Sequence, residues 1–265
     1  MMLRFLVSLL VLASCKIAKA ETTVASARAS LVRQEDTIIF ALIERSRFPL
    51  NSPTYNQNYT SVQDSILDFV VHNTEAVQSK AGRYTNPEEI PFSTKSLPPS
   101  VVPHCPFSQF LHPAAASINI NKDIWKLYFS DLLPLFVASD DDGNYAQTAA
   151  ADLTLLQAIS RRIHYGKFVA EAKFRENPKA FEPSIRAKDR ETLLKLLTLK
   201  KVEEMVVKRV EKKAMVLGQD VNIDNDIKKG GKYKVDPSIA SMLYQKWLIP
   251  LTKNVELEYL LKRFE

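Results

Sequence analysis

The segment SRRIHYGKFVAEAKF (160–174) sets two cations, Arg162 and Lys173, inside a helix-forming run. They stand eleven residues apart, and eleven steps of about 100° bring a helix back to within about 20° of its starting direction. Gly166 and Val169 lie between them on that face. A glycine and a small apolar residue flanked by two cations make a shallow cleft with a positive lip at each end, suited to a small dianion. Helical rise separates the two Cα atoms by about 16 Å, a gap that two long side chains can close around a compact ligand. The same spacing equally describes two surface cations whose heads stay in water. Near the C-terminus, Thr252 and Glu256 stand at i, i+4 beside Val255, Leu260 and Leu261, which fits either an interior polar site or an exposed polar stripe. Glu203 and Glu204 open another apolar stretch, and Arg28 supplies a cation near the start of the first helical run.

Other chemistries lack their signatures. There is no G-x-S-x-G elbow, H-E-x-x-H pair, P-loop or G-x-G-x-x-G turn. The four histidines (72, 104, 112, 164) show no ligand spacing, so no metal site is expected. Cys105, between His104 and Pro106, leaves a Cys–His nucleophile and a plain loop thiol both open.

Met1–Ala20 has the form of a secretory leader: Arg4, the apolar run Phe5–Ala13, and Ala18-Lys19-Ala20 as a small-x-small cleavage pattern. The run is far shorter than the roughly 20 residues that span a bilayer, so no permanent membrane span is expected. Cleavage would leave residues 21–265 as the working domain and Cys105 as its only thiol. It would place the protein in the secretory pathway or outside the cell, with the cytoplasm as the alternative, and make Asn58-Tyr59-Thr60 a glycosylation acceptor. Three of the 36 basic residues (Arg4, Lys16, Lys19) belong to the leader, leaving 33 against 30 acidic ones. That balance is not the footprint of a nucleic-acid binder. VEEMVVKRVEKK (202–213), with both signs interleaved, reads as a solvated helix face.

Helical period dominates the remainder. Arg28–Arg47 puts Leu31, Ile38, Ile39, Leu42 and Ile43 on one stripe, and Ser61–Gln78 and Asp123–Val137 have similar spacing. Thr148–Phe174 predicts one uninterrupted helix of about 27 residues, or about 40 Å. Asp189–Ala214 follows with a break near Leu199, then Pro237–Trp247 and Pro250–Phe264, each with Pro near its start. Asn86–Pro113 holds seven of the fourteen prolines and predicts an extended surface loop, and Gly218–Asp236 reads as a polar connection. The expected architecture is all-α, a single-domain helical bundle.

LVRQEDTIIFALIER (31–45), SRRIHYGKFVAEAKF (160–174), KKVEEMVVKRVEKKA (200–214) and PLTKNVELEYLLKRF (250–264), together with GRYTNPEEIPF (82–92), LHPAAASININKDIW (111–125) and DDGNYAQTAAADL (141–153), resemble the all-helical chorismate mutases of plants and yeasts. The resemblance runs from about residue 26 to 265, with details closer to the plant branch. It implies a homodimer that rearranges chorismate to prephenate without cofactor or covalent intermediate, on the route to Phe and Tyr. Arg28 and Arg162 match the family's carboxylate-binding arginines. Lys173 matches the lysine at the breaking ether oxygen, and Glu203 the residue that binds the ring hydroxyl. Thr252 and Glu256 match the pair that completes the pocket. Leu199 departs from the Asn of the yeast type.

The resemblance also implies an amino-acid effector site at the dimer interface, and there the departures are larger. The paired arginine of the yeast type is Gly82-Arg83, and its Gly, Ser and Thr are Ala146, Gln147 and Ala150. Ala146 adds a Cβ, Gln147 adds bulk and Ala150 removes a hydroxyl, so activity insensitive to tyrosine and tryptophan is expected. Asn144 and Arg83 remain as possible anchors for a carboxylate. The competing reading is a secreted non-catalytic binding or decoy protein on the same fold.

Overall fold

The computed structural model describes residues 22–61, 64–102, 110–219 and 233–265. Met1–Ala20, Cys105 with His104, and most of Gly218–Asp236 lie outside the described residues. Among those described, secondary structure is helical apart from a single bridge between Gln219 and Tyr233. No described helix is long and apolar enough to cross a membrane.

Helix α1 (Val24–Arg45) starts upstream of Arg28 because Thr23 and Ser26 form a reciprocal capping box. Helix α2 spans Ile66–Lys80, and α3 (Asn121–Leu127) continues through a π turn, Tyr128–Leu132. The expected single helix over Thr148–Phe174 is instead two, α4 (Tyr145–His164) and α5 (Gly166–Glu176), broken at Tyr165. Helix α6 (Pro178–Arg186), with Pro178 in its first turn and Pro183 inside, is an addition to the sequence reading. Helices α7 (Arg190–Leu197) and α8 (Lys200–Leu217) are divided near Leu199, as their sequence predicts.

The two C-terminal segments expected as separate helices form one rod. Helix α9 (Pro237–Leu243) passes through a π turn, Tyr244–Leu248, into α10 (Ile249–Leu261). Pro250 follows that turn by two residues, and Pro134 follows Tyr128–Leu132 in the same way. At Pro250 the wider turn has already shifted the hydrogen-bond register, so a residue without an N–H does not break the rod, whereas at Pro134 the helix closes in a short 3-10 turn, Leu133–Leu135.

Helix α10 is buried on almost every side: Val255, Leu257, Tyr259 and Leu260 all reach the core. Ile38, Ile39 and Leu42 of α1 and Leu155, Leu156, Ile159 and Ile163 of α4 join the same cluster. Inside it lies an ion pair with no exposure on either side chain, Arg45 Nε to Asp152 Oδ1 at 2.5 Å. The Tyr128 hydroxyl donates to Asp152 Oδ1 at 2.6 Å and the Tyr55 hydroxyl to Oδ2 at 2.7 Å, while Arg45 NH1 donates to Phe48 O and Pro49 O and its NH2 to the Tyr55 hydroxyl. A buried pair of this kind ties α1 to α4 through complete mutual satisfaction rather than through net stabilisation. Asp152→Ala, which strands the Arg45 charge, should therefore cost about 3–5 kcal/mol of stability, measured by urea unfolding. A loss near the surface-mutation range of about 0.5 kcal/mol would show that water reaches Arg45.

Candidate active site

A cavity of about 120 Å³ opens where α1, α4, α5, the α7–α8 junction and α10 meet. Arg28, Arg162, Lys173, Glu203, Thr252 and Glu256 all line it, with Leu31, Val169, Leu199 and Ile249 among the apolar wall. The surface-cation alternative for Arg162 and the exposed-stripe alternative for Thr252 and Glu256 are both excluded, because each of these residues is only 5% exposed.

Arg162 lies in the last turn of α4, where the helix dipole favours a cation. Its NH1 donates to Thr252 Oγ1 at 3.2 Å, and that hydroxyl donates in turn to Leu248 O at 2.6 Å. The guanidinium stands 5.9 Å from the Tyr244 ring centroid, and Nε is buried without a hydrogen-bond acceptor. Lys173 Nζ donates to Glu256 Oε2 at 2.9 Å and to Leu197 O at 3.1 Å, so one ammonium joins α5, α7 and α10. Burial raises the Glu256 carboxyl above its ordinary pKa; Lys173 and Arg162 oppose the rise, and Glu203 adds to it.

Charges around the cavity are unequally matched. Glu35 pairs with Arg209 (2.5 Å) and Lys213 (3.1 Å), and Glu203 with Lys253 (3.1 Å). Arg28 and Arg162 make no ion pair among the described residues. The cavity thus presents two unpaired guanidinium groups, one exposed at its edge and one deep, with a lysine beside a carboxyl of raised pKa. Such a surface can hold a dianion and donate hydrogen bonds to an oxygen that gains charge. Among the described residues, no group of three or more His, Cys, Asp or Glu side chains converges to hold a metal.

Gly166 is not part of the cleft floor, as its spacing had suggested. A Cβ there would lie 3.0 Å from the Thr252 carbonyl oxygen and 3.1 Å from its Cγ2, so the glycine lets α5 rest against the backbone of α10. Lys253 and Glu35 line the cavity but were missed as site residues, since a Lys beside Thr252 and an acid in a charged run carry no distinctive spacing. Likewise Arg209 and Lys213, expected on a solvated face, reach across to Glu35.

The expected effector positions lie elsewhere. Ala146, Gln147 and Ala150 share an exposed face at the start of α4, and Asn144 occupies its N-cap position. Gly82 has a left-handed φ of 85°. Arg83 is engaged, donating to Gln157 Oε1 at 2.6 Å and to Glu89 Oε2 at 2.9 and 3.0 Å. A second, larger cavity of about 440 Å³ includes Tyr84, His112, Asn119 and Lys167 in its lining. Lys167 donates to Pro87 O at 3.1 Å, and burial pushes its amine down to about 8.

Comparison with known proteins decides the family. An Arabidopsis thaliana protein, Chorismate mutase 2, is 57% identical over 245 residues, covering 90% of this chain and 92% of its own. The chain belongs to the chorismate mutase family, whose members are isomerases. The family described as Chorismate mutase type II matches residues 144–257. Chorismate mutase 2, cytosolic, from Zea mays is 48% identical, covering 92% of this chain and 97% of its own. The crystal structure of AtCM1 with phenylalanine bound in its allosteric site superposes with a TM-score of 0.84 at 43% identity, covering 94% of this chain and 99% of that one. The all-α bundle expected from sequence is therefore the family fold.

The expected secretory or extracellular location is overturned by the maize relative, which matches along nearly its whole length and is described as cytosolic. With it goes the ground for reading Asn58 as a glycosylation acceptor.

Because the obstacle at Gly166 is a backbone oxygen rather than a flexible side chain, Gly166→Ala should destabilise the protein by about 1–3 kcal/mol, read from denaturant midpoints. Unchanged stability would mean that α5 and α10 have room to separate.

Proposed function

We propose that this cavity binds chorismate and rearranges it to prephenate, with Arg28, Arg162, Lys173, Glu203, Thr252 and Glu256 as the working residues. The observation that carries the reading is Arg162: a buried guanidinium, fixed by Thr252, that makes no ion pair among the described residues. Buried charges are ordinarily paired, so an unpaired one facing a cavity points to an anionic ligand. Arg28 and Arg162 hold the two carboxylates, which folds the flexible enolpyruvyl arm over the ring and removes the rotational freedom that slows a unimolecular pericyclic step.

As the ether bond lengthens, its oxygen gains negative charge. Lys173 has donors in excess of its two protein acceptors, and Glu256 accepts from it through Oε2, leaving Oε1 to carry a proton. Both groups can then donate to the ether oxygen, and these bonds strengthen in the transition state. Glu203 accepts from the ring hydroxyl. Leu199 extends the apolar wall where the yeast type has Asn, so polar recognition on α8 rests with Glu203. The reaction needs no cofactor. The non-catalytic alternative has no observation in its favour, since none of the six positions has lost its functional group.

We also read the protein as a single domain over 21–265 that pairs with a second copy, and as insensitive to tyrosine and tryptophan. The exposed faces of α2 and the adjoining chain, with Phe69, Val77, Val101 and Val102, are apolar enough for a homodimer. AtCM1 carries an allosteric site, so insensitivity here rests on local chemistry. Ala146 and Ala150 offer no hydroxyl, Arg83 is already bound to Glu89 and Gln157, and Gly82 sits at a φ that an arginine would resist.

Purified protein should consume chorismate, followed as ultraviolet loss of its diene; a rate no higher than background would overturn the reading. Arg162→Ala and Lys173→Ala should each lower turnover at least about a hundredfold, while Lys208→Ala, exposed on α8, should change little. Three equal effects would contradict the assigned roles.

Glu256 acts in its protonated form, so activity should fall as pH rises through its elevated pKa, and Glu256→Gln should flatten that limb. A profile unchanged by the substitution would remove Glu256 from the proton-donating role. Tyrosine and tryptophan, each titrated to millimolar concentration at sub-saturating chorismate, should leave the rate unchanged. A severalfold response to either would show that the altered face still binds an effector.

A further inference from the structure

Lys253, on α10, reaches Glu203, on α8, with Nζ 3.1 Å from Oε1 and 3.2 Å from Oε2. Both side chains line the cavity, and at 23% and 27% exposure neither belongs to a freely solvated surface pair. Glu203 has no other side-chain partner among the described residues. It sits in the first turn of α8, a helix that starts at Leu199 without a side-chain cap, and Leu199 itself offers no polar group. The aim of the carboxylate is thus set from across the cavity by a residue whose neighbour, Thr252, fixes Arg162.

We propose that Lys253 is a positioning residue for the rearrangement: by straddling both oxygens of Glu203 it holds that carboxylate in the rotamer that accepts from the ring hydroxyl of the substrate. The inference rests on the reading of Glu203 given above. A glutamate loses substantial rotamer freedom when ordered, and Lys253 imposes that order before substrate arrives. The ring hydroxyl is not at the reacting bonds, so its hydrogen bond acts alike on bound substrate and transition state. Its loss therefore appears in KM and not in kcat.

The test is a double-substitution cycle on the full chain, assayed with chorismate and with an analogue lacking the ring hydroxyl. Lys253→Met should raise the KM for chorismate about tenfold, the lower end for a hydrogen bond to a charged group, with kcat nearly unchanged. Lys253→Arg should restore most of the loss. Glu203→Gln should raise KM similarly, the double variant should be no worse than either single one, and Lys253→Met should no longer distinguish chorismate from the analogue.

Additive effects would overturn the proposal by showing that Lys253 meets the substrate itself. A lowered melting temperature with unchanged KM would overturn it in favour of a plain clamp between α8 and α10. If Glu203→Gln raises KM and Lys253→Met does not, this inference alone fails. If Glu203→Gln leaves KM unchanged, the role assigned to Glu203 fails with it.

Discussion

A buried guanidinium that makes no ion pair among the described residues is the constraint around which the rest of this structure is arranged. Removing a charge from water is costly unless hydrogen bonds or an opposite charge replace the lost hydration. Arg162 receives one such bond, from its NH1 to Thr252, and stands beside the Tyr244 ring. Keeping it buried requires helices that do not yield, and the close seating of Gly166 on the Thr252 backbone provides this. The same residue of α10 thus receives the arginine through its side chain and the neighbouring helix through its carbonyl.

Charges used for structure are treated differently. Arg45 and Asp152 satisfy one another with help from two tyrosines. Glu171, fully buried, receives Arg175, Arg263 and the Tyr259 hydroxyl. Glu75 accepts from the Phe92 and Ser93 N–H groups and from Gln157. Each closed network fixes a junction between segments. Against that background Arg162, without an ion pair among the described residues, and the raised carboxyl of Glu256 stand out as the groups on which the proposed site rests.

Most of the helical framework was legible because the apolar residues recur with helical period and the breaks coincide with glycine, proline or polar runs. The failures have physical causes. Periodicity over Thr148–Phe174 does not register a one-residue break at Tyr165, which leaves the stripe intact. Prolines 134 and 250 follow wide turns invisible to a 3.6-residue pattern. At the site, Arg162 and Lys173 were legible from their eleven-residue spacing, whereas choosing between cleft and surface required burial. Glu35 and Lys253 carry no sequence signal, since their importance lies in partners on distant helices: Arg209 and Lys213 for one, Glu203 for the other. The leader pattern at Met1–Ala20 misdirected the expected location because composition alone cannot weigh a short apolar run against what relatives show.

In the proposed mechanism a buried guanidinium held by Thr252, a second guanidinium at the cavity edge and a lysine–glutamic acid pair bind the folded, charge-separated transition state better than the extended substrate. Its most direct measurement is the competitive inhibition constant of a rigid bicyclic dicarboxylate that holds both carboxylates and the ether oxygen in the folded arrangement, compared with the KM of chorismate. Transition-state complementarity predicts an inhibition constant at least about a hundredfold below KM, with that advantage lost in Arg162→Ala. An inhibition constant equal to KM, or an advantage that survives Arg162→Ala, would contradict the account.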